Sequence, residues 1–234
     1  MKKLIIAFLM IAGTVLALKA QGPVKRFSLN VHDFTELKVI NAINVEYYAS
    51  ADSAGTVCFE CPKDLASHLM FTNKNNSLHI QVDFENIPSH ELPLLRVYST
   101  NLQKVENSGD STVTVCRLAP VNTFNARLIG NGTLQVNNVD ADNVNASIST
   151  GSGNLLINGK ASKAKLSNVG TGPLEANALT CKTVKCILVG TGPIDCHATE
   201  QLSIFGAGSG TVYYSGKPKK ISNRTIGVKS NPVE

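Results

Sequence analysis

The stretch ILVGTGPIDC, residues 187–196, decides how this chain folds. Residues 167–176 read SNVGTGPLEA, so the same glycine-rich segment occurs twice. A phosphate-binding loop also carries paired glycines, but it precedes a helix whose N-terminal amides bind the phosphate. Here the glycines lead directly into a strand pattern, with Pro173 or Pro193 at its first position, where proline is tolerated. We therefore interpret GTGP as a corner of the chain, where glycine provides either a positive φ or a close backbone approach.

Similar glycine corners recur along residues 108–216. The corners begin at successive spacings of 21, 21, 19, 20 and 18 residues. A fixed period near twenty residues is the sequence signature of a solenoid. The corner glycines are Gly109, Gly130, Gly151, Gly170 with Gly172, Gly190 with Gly192, and Gly208.

After each corner, apolar or small residues occupy alternate positions. Since strand side chains alternate between faces, each pair points to one side and can stack on the pair of the next coil. The pairs are Val113 and Val115, Leu134 and Val136, Leu155 and Ile157, Leu174 and Ala176, Ile194 and Cys196, and Val212 and Tyr214. A second strand precedes each corner, as Phe124, Ala126 and Leu128 illustrate. The sequence thus predicts an all-β fold, a parallel β-helix with coils of about 20 residues, right-handed by the usual chirality of parallel crossovers.

The N-terminal residues 1–20 have the pattern of a secretory signal peptide. Lys2 and Lys3 precede an apolar run from Leu4 to Leu18, and Ala20 stands at the expected cleavage point. A membrane anchor is the alternative, but a spanning helix needs about 20 apolar residues. We expect an exported protein of the periplasm, the outer-membrane surface or the extracellular space, with no transmembrane segment in the mature chain.

Residues 21–234 are predicted to form a single β-helical domain. Within it we expect wider, irregular coils over 27–107, with a short helix at 63–69, regular glycine-cornered coils over 108–216, and a C-terminal cap over 217–234. Loss of Lys2, Lys3 and Lys19 with the signal reduces the formal net charge from +5 to +2. This small charge, with no basic patch interleaved with aromatic residues, argues against nucleic acid as a partner.

The repeats resemble a known family. The segments STGSGNLLINGKA (149–161), NVGTGPLEANAL (168–179), GAGSGTVYYSGKP (206–218) and FTELKVINAINVEYY (34–48) are similar to the putative autotransporter adhesin head GIN domain. GTGP replaces the family's usual Ser-Gly-Ser-Gly corner twice. The resemblance covers roughly residues 30–228 and implies an exported, adhesin-like β-helical protein of the cell envelope. It implies no cofactor and carries over no catalytic residues.

Two charged ladders are candidate sites. Lys165 and Lys185 each precede a corner glycine by five residues, with Lys163 and Lys182 nearby. These lysines either extend into solvent or contact an anionic polymer, a glycan or a protein. Glu175 and Asp195 each follow a corner glycine by five residues and are expected to stack on adjacent coils. A polysaccharide-active enzyme using this acid pair is therefore the alternative to a non-catalytic binding module.

The cysteines and two serines complete the candidates. Cys186 and Cys196 occupy core positions, so we predict buried free thiols there. Cys58 and Cys61 should point to opposite faces of a strand, and the sequence predicts no metal site. Ser53 and Ser111 lie in short matches to an acceptor motif for O-glycans on exported bacterial proteins.

Overall fold

The structure, a computed structural model, describes residues 23–83 and 91–233, so the predicted signal peptide lies outside the described residues. The all-β solenoid is confirmed, with about six turns and coils of about 20 residues. Its strands are β1 (Val24–Asn30), β2 (Glu36–Ile40), β3 (Val45–Ala49), β4 (Thr56–Pro62), β5 (Leu69–Lys74), β6 (Ser77–Val82), β7 (Leu95–Ser99), β8 (Lys104–Ser108), β9 (Thr112–Arg117), β10 (Val121–Leu128), β11 (Thr133–Ile148), β12 (Asn154–Asn168), β13 (Leu174–Leu188), β14 (Ile194–Ala207), β15 (Thr211–Ser215), β16 (Lys220–Ile226) and β17 (Lys229–Pro232). A short helix, α1 (Lys63–Ala66), follows β4 within the predicted range.

Each regular coil has three sides, where the sequence indicates at least two strands. In β11, the parallel register with β12 runs over residues 133–136, 139–141 and 143–148, which we call the first, second and third sides. The second side has only two inward positions, Val139 and Ala141. Such a short segment between asparagines carries too little alternation to be recognised from sequence.

The predicted stacking of inward residues is confirmed. On the first side, Val113, Leu134, Leu155, Leu174, Ile194 and Val212 lie in one ladder of registered strands. Each of these side chains is fully buried. A single hydrophobic core runs from Val31 to Val228, because every inward strand face is covered by the coil above and the coil below.

Backbone proximity explains the glycines of the GTGP corners. A Cβ built on Gly192 would lie 2.1 Å from the carbonyl oxygen of Gly172, and one on Gly190 would lie 2.0 Å from that of Gly170. Only Gly130, Gly151 and Gly208 among the predicted corner glycines have a positive φ. Glycine is therefore required at residues 190 and 192 by the close approach of the backbone and not by a positive φ.

Two buried asparagines form hydrogen bonds to the backbone of the corners from inside the core. Asn168 donates from Nδ2 to the carbonyl oxygens of Gly172 (2.9 Å) and Pro193 (3.1 Å), and its Oδ1 accepts from the Gly170 amide (3.0 Å). Asn107 makes the same three contacts at the corner of Gly109. Both asparagines are fully buried, so these hydrogen bonds offset the cost of removing an amide side chain from water.

The N-terminal part differs from the predicted succession of wider coils. β2 pairs in parallel with both β6 and β8, and β3 pairs with both β7 and β9. The coil formed by β2 and β3 thus lies between two later coils, the β6–β7 coil on one side and the β8–β9 coil on the other. Antiparallel pairs close this end of the stack: β4 pairs with β7, β1 with β4, and β5 with β6. The turn of the β5–β6 hairpin places Asn75 and Asn76 at positive φ, as a two-residue hairpin turn requires.

The C-terminal residues add a last coil, whose strands β16 and β17 pair with β14 and β15. Inward positions of β16 carry Asn223 and Thr225 in place of aliphatic residues. Asn223 donates to Ser230 Oγ, and Thr225 donates to Asn223 Oδ1 and to the Val228 carbonyl. These polar contacts lie at the end of the core. They make the exposed edge of the last coil a poor template for the stacking of another chain.

Candidate functional site

The outward positions of the third side form a basic surface. From β10 to β16 this side carries Arg127, Lys163, Lys165, Lys185, Lys220 and Arg224. No aspartate or glutamate occupies an outward third-side position between residues 123 and 224 of the described chain. We call this surface the basic face.

Lys165 and Lys185 lie side by side at the centre of the basic face. They are registered on neighbouring parallel strands, as the sequence predicts. The Lys185 ammonium sits 4.9 Å from the centroid of the Phe205 ring, which holds it by a cation–π contact. Lys163 is registered with Thr183, and no ion pair within the described residues includes Lys163, Lys165 or Lys185. Their strands are about 4.8 Å apart, and like charges on neighbouring strands repel each other.

The remaining predicted lysine, Lys182, does not lie on this face. It lines a surface groove of about 970 Å³ where the second side of each coil meets the third. Asp140, Asp142 and Lys160 lie along the same groove. The Lys160 ammonium is 3.1 Å from Asp140 Oδ2. The sequence did not predict this groove, because its lining comes from equivalent positions of coils about 20 residues apart.

The predicted acid pair is on the first side, away from the basic face. Glu175 and Asp195 are in register on β13 and β14, and both are half-buried. Burial and then the charge of Glu175 raise the pKa of the Asp195 carboxyl above its ordinary value. Their neighbours along the ladder are Leu156 and Tyr213, which supply no third charge.

A buried ion pair lies at the start of the basic face. Glu106 on β8 has only 5% of its surface exposed. Its carboxylate lies 2.9 Å from the Lys38 ammonium and 3.6 Å from Arg127, and it accepts a 3.0 Å hydrogen bond from Ser108 Oγ. Burial opposes ionisation, but the hydrogen bonds from Lys38 and Ser108 and the charges of Lys38 and Arg127 outweigh it and lower the pKa of Glu106. Nothing in the periodic pattern distinguishes Glu106 from an exposed strand residue, so sequence reasoning missed it.

The thiols predicted to be buried are buried and free. Cys186 and Cys196 are 0% and 1% exposed, and the Cys186 thiol donates to Cys196 Sγ across 3.8 Å. This contact and burial raise the pKa of Cys186 well above its ordinary value. Burial raises the pKa of a third interior thiol, Cys181, to about 12. Cys58 is half-exposed and Cys61 is buried, so the two do point to opposite faces of β4.

We expect Cys186 and Cys196 to resist alkylation in the native protein and to react after denaturation, since a buried protonated thiol is inert. Cys58 and Cys116, both half-exposed, are the internal controls and should react first. Peptide mapping after a timed pulse of iodoacetamide measures the order. Native labelling of Cys186 at the rate of Cys58 would contradict the core assignment.

The other predicted sites are placed as follows. Ser53 is half-exposed, but Ser111 is only 6% exposed, so the folded chain does not present Ser111 for glycosylation. Residues 23–83 and 91–233 contain no group of three His, Cys, Asp or Glu that could hold a metal ion. In the same ranges no helix is long and apolar enough to cross a membrane.

Solved structures of similar fold come from species of Bacteroides and Parabacteroides. A putative adhesin from Bacteroides fragilis superposes with a TM-score of 0.80 at 20% identity, covering 90% of this chain and 97% of that one. A putative lipid binding protein from Parabacteroides distasonis gives 0.73 at 18% identity, covering 91% and 98%. A putative adhesin from the same species gives 0.71 at 23% identity, also covering 91% and 98%. At these identities the likeness concerns the fold.

Comparison with curated proteins finds no match to this chain. The family described as "putative auto-transporter adhesin, head GIN domain" matches residues 33–218. This range spans most of the chain and includes the glycine corners and the registered coils described above. The chain therefore belongs to the head GIN domain family of putative auto-transporter adhesins.

Proposed function

We propose that this protein is a non-catalytic, exported module of the cell envelope or surface that binds an anionic polymer along its basic face. The family is one of putative adhesins, which supports a surface role without bond breaking. The basic face carries the proposal, because β10, β12, β13 and β16 each place a lysine or arginine on it and no strand places an acid there from residue 123 to residue 224 of the described chain. A matrix or protein partner with an acidic surface would be held by the same charges.

The arrangement suits a partner that repeats its charge. Parallel strands place Lys165 and Lys185 about 4.8 Å apart along the solenoid axis. Each exposed ion pair contributes only about 0.2–1 kcal/mol, so affinity requires several contacts made together. A linear polyanion lying along the axis would contact Lys165 and Lys185 on neighbouring coils and, beyond the uncharged positions of β11 and β14, Arg127 at one end and Lys220 at the other.

The experiment compares two variants with the same loss of charge. Lys163, Lys165 and Lys185 are replaced together by Ser in one, and Lys25, Lys63 and Lys74 in the other, all of the latter set being exposed near the N-terminal end. We expect the first variant to bind immobilised polygalacturonate about tenfold more weakly and the second to bind nearly as the wild type does. Wild-type affinity should fall as salt rises, because exposed charges are screened beyond about 8 Å at physiological ionic strength. Equal losses in both variants would show that net charge alone matters and would contradict the proposal.

The acid pair favours a second candidate function. The raised pKa of Asp195 beside Glu175 is the kind of shift that catalytic acids show. A polysaccharide-active enzyme would lose turnover when Glu175→Gln and Asp195→Asn are combined, whereas the binding module would keep its attachment to polygalacturonate. Reducing ends released from a panel of polysaccharides measure the difference. Turnover that disappears in this double variant would establish the enzyme instead.

A further inference from the structure

From the groove that contains Lys182 we infer a second binding site, for an uncharged linear oligosaccharide. The groove is separate from the basic face, and the inference does not rest on the function proposed for that face. Its volume of about 970 Å³ is at the upper end of the range for ligand sites in proteins, about 300–1,000 Å³. It crosses successive coils in register, from Val121 through Ala141 and Ala161 to Cys181.

The composition of the groove identifies the class of ligand. The charges along it balance, with Asp140 and Asp142 against Lys160 and Lys182. A balanced lining gives no net attraction to a polyanion, unlike the basic face. No aromatic side chain and no large apolar one beyond Val121 lines the groove, so it offers little surface to an acyl chain.

The polar groups of the groove are available to a ligand. No side-chain hydrogen bond within the described residues engages Asn122, Asp142, Ser162 or Lys182, and all four residues are exposed. Carboxylate, amide, hydroxyl and ammonium groups together both donate and accept hydrogen bonds. This mixture matches the hydroxyl groups of a sugar, each of which also donates and accepts.

The shape favours a chain rather than a single sugar. The registered floor positions from Val121 to Cys181 cover three strand spacings of about 4.8 Å, or about 14 Å along the solenoid axis. At the registered positions Ala141, Ala161 and Cys181 the side chains are small or face the core, so no bulky side chain projects from the floor between the charged residues. An extended oligosaccharide lying along the axis would contact each coil in turn.

The test uses the full-length protein and a neutral glycan array, followed by titration of maltohexaose, cellohexaose, chitohexaose and mannohexaose. Ligand binding should shift the methyl resonances of Ala141 and Ala161 in the protein. The variant combines Asp142→Ala with Lys182→Ala, which leaves the net charge unchanged. Its control combines Asp52→Ala with Lys74→Ala, an equally neutral change at exposed residues outside the groove and the basic face.

We expect the groove variant to bind the selected oligosaccharide about tenfold or more weakly and the control to bind like the wild type. The triple Lys163, Lys165 and Lys185 variant should also retain oligosaccharide binding while it loses polygalacturonate, so the two sites fail separately. Absence of binding across the neutral array, or equal loss in the groove variant and its control, overturns the inference. Saturable binding of a fluorescent fatty acid that the groove variant abolishes also overturns it, in favour of a lipid site.

Discussion

Gly192→Ala is expected to lower the free energy of unfolding by about 2–3 kcal/mol, although it adds a single methyl group. The new Cβ would lie 2.1 Å from the Gly172 carbonyl oxygen, and it would also come within 2.8 Å of the backbone of Thr171. All of these atoms are backbone atoms of the preceding coil, so no side chain can rotate away. The two coils must separate, which weakens the hydrogen bond from the Gly192 amide to the Gly170 carbonyl (3.3 Å). Urea unfolding followed by circular dichroism measures the change.

Gly130→Ala is the matched control at the second of the regular corners. Its Cβ would meet no atom closer than 3.7 Å, but its φ is +105°, so the substitution costs only local backbone strain of about 1–2 kcal/mol. Neutral surface substitutions change the free energy of unfolding by at most about 0.5 kcal/mol. If Gly192→Ala changes it by no more than this, close contact between coils does not explain why the GTGP corner contains glycine.

Lys38→Met should lower the free energy of unfolding by about 2–3 kcal/mol at neutral pH. Breaking a buried ion pair from one side costs about 3–5 kcal/mol, because the other charge stays buried without its partner. The loss is smaller here since Arg127 remains 3.6 Å from Glu106 and Ser108 still donates to it. Lys104→Met is the control, because it breaks the exposed pair of Lys104 and Glu36 on the neighbouring ladder and should cost about 1 kcal/mol or less.

The pH dependence distinguishes a buried charge from lost packing. In the wild type the pKa of Glu106 is lowered, so its ionised form stabilises the fold above the unfolded pKa, and this contribution is lost as the pH falls through the folded pKa. Without Lys38, fewer positive charges offset the effect of burial, so the pKa of Glu106 is higher in the variant than in the wild type. The gap in unfolding free energy between wild type and Lys38→Met should therefore narrow on acidification, as Glu106 takes up a proton. A gap that stays constant from neutral to acidic pH would mean that only packing was lost.

The regular half of the fold could be predicted because its signal repeats. A glycine corner followed by two alternating apolar positions gives the correct inward residues in every coil, and the ladder from Leu156 through Glu175 to Tyr213 has the predicted register. The same reasoning placed Lys165 beside Lys185. It failed for Lys182, because a bend between the second and third sides separates residues that are close in sequence.

Other features depend on contacts that leave no period in the sequence. Asn107 and Asn168 occupy inward positions where neighbouring coils carry Leu128 and Ile148, so a polar residue there would be expected to face solvent. Their hydrogen bonds to the corner backbone reverse that expectation. Burial of Glu106 likewise requires Lys38, from a strand 68 residues earlier in the chain, together with Arg127 of the next coil. The antiparallel strands at the N-terminal end follow no fixed spacing, which is why the sequence suggested only irregular coils.

The position of the β2–β3 coil between two later coils has a consequence for how the chain finds its fold. Glu36 on β2 must meet Ser77 on one side and Lys104 on the other, whereas Leu134 meets Leu155 only 21 residues further on. Closing a loop of about 68 residues costs about 1 kcal/mol more chain entropy than closing one of about 21. Assembly of the N-terminal coils is therefore expected to be the slower step. The regular coils each close over about 20 residues, so the C-terminal half can form first and provide the template on which the N-terminal coils assemble.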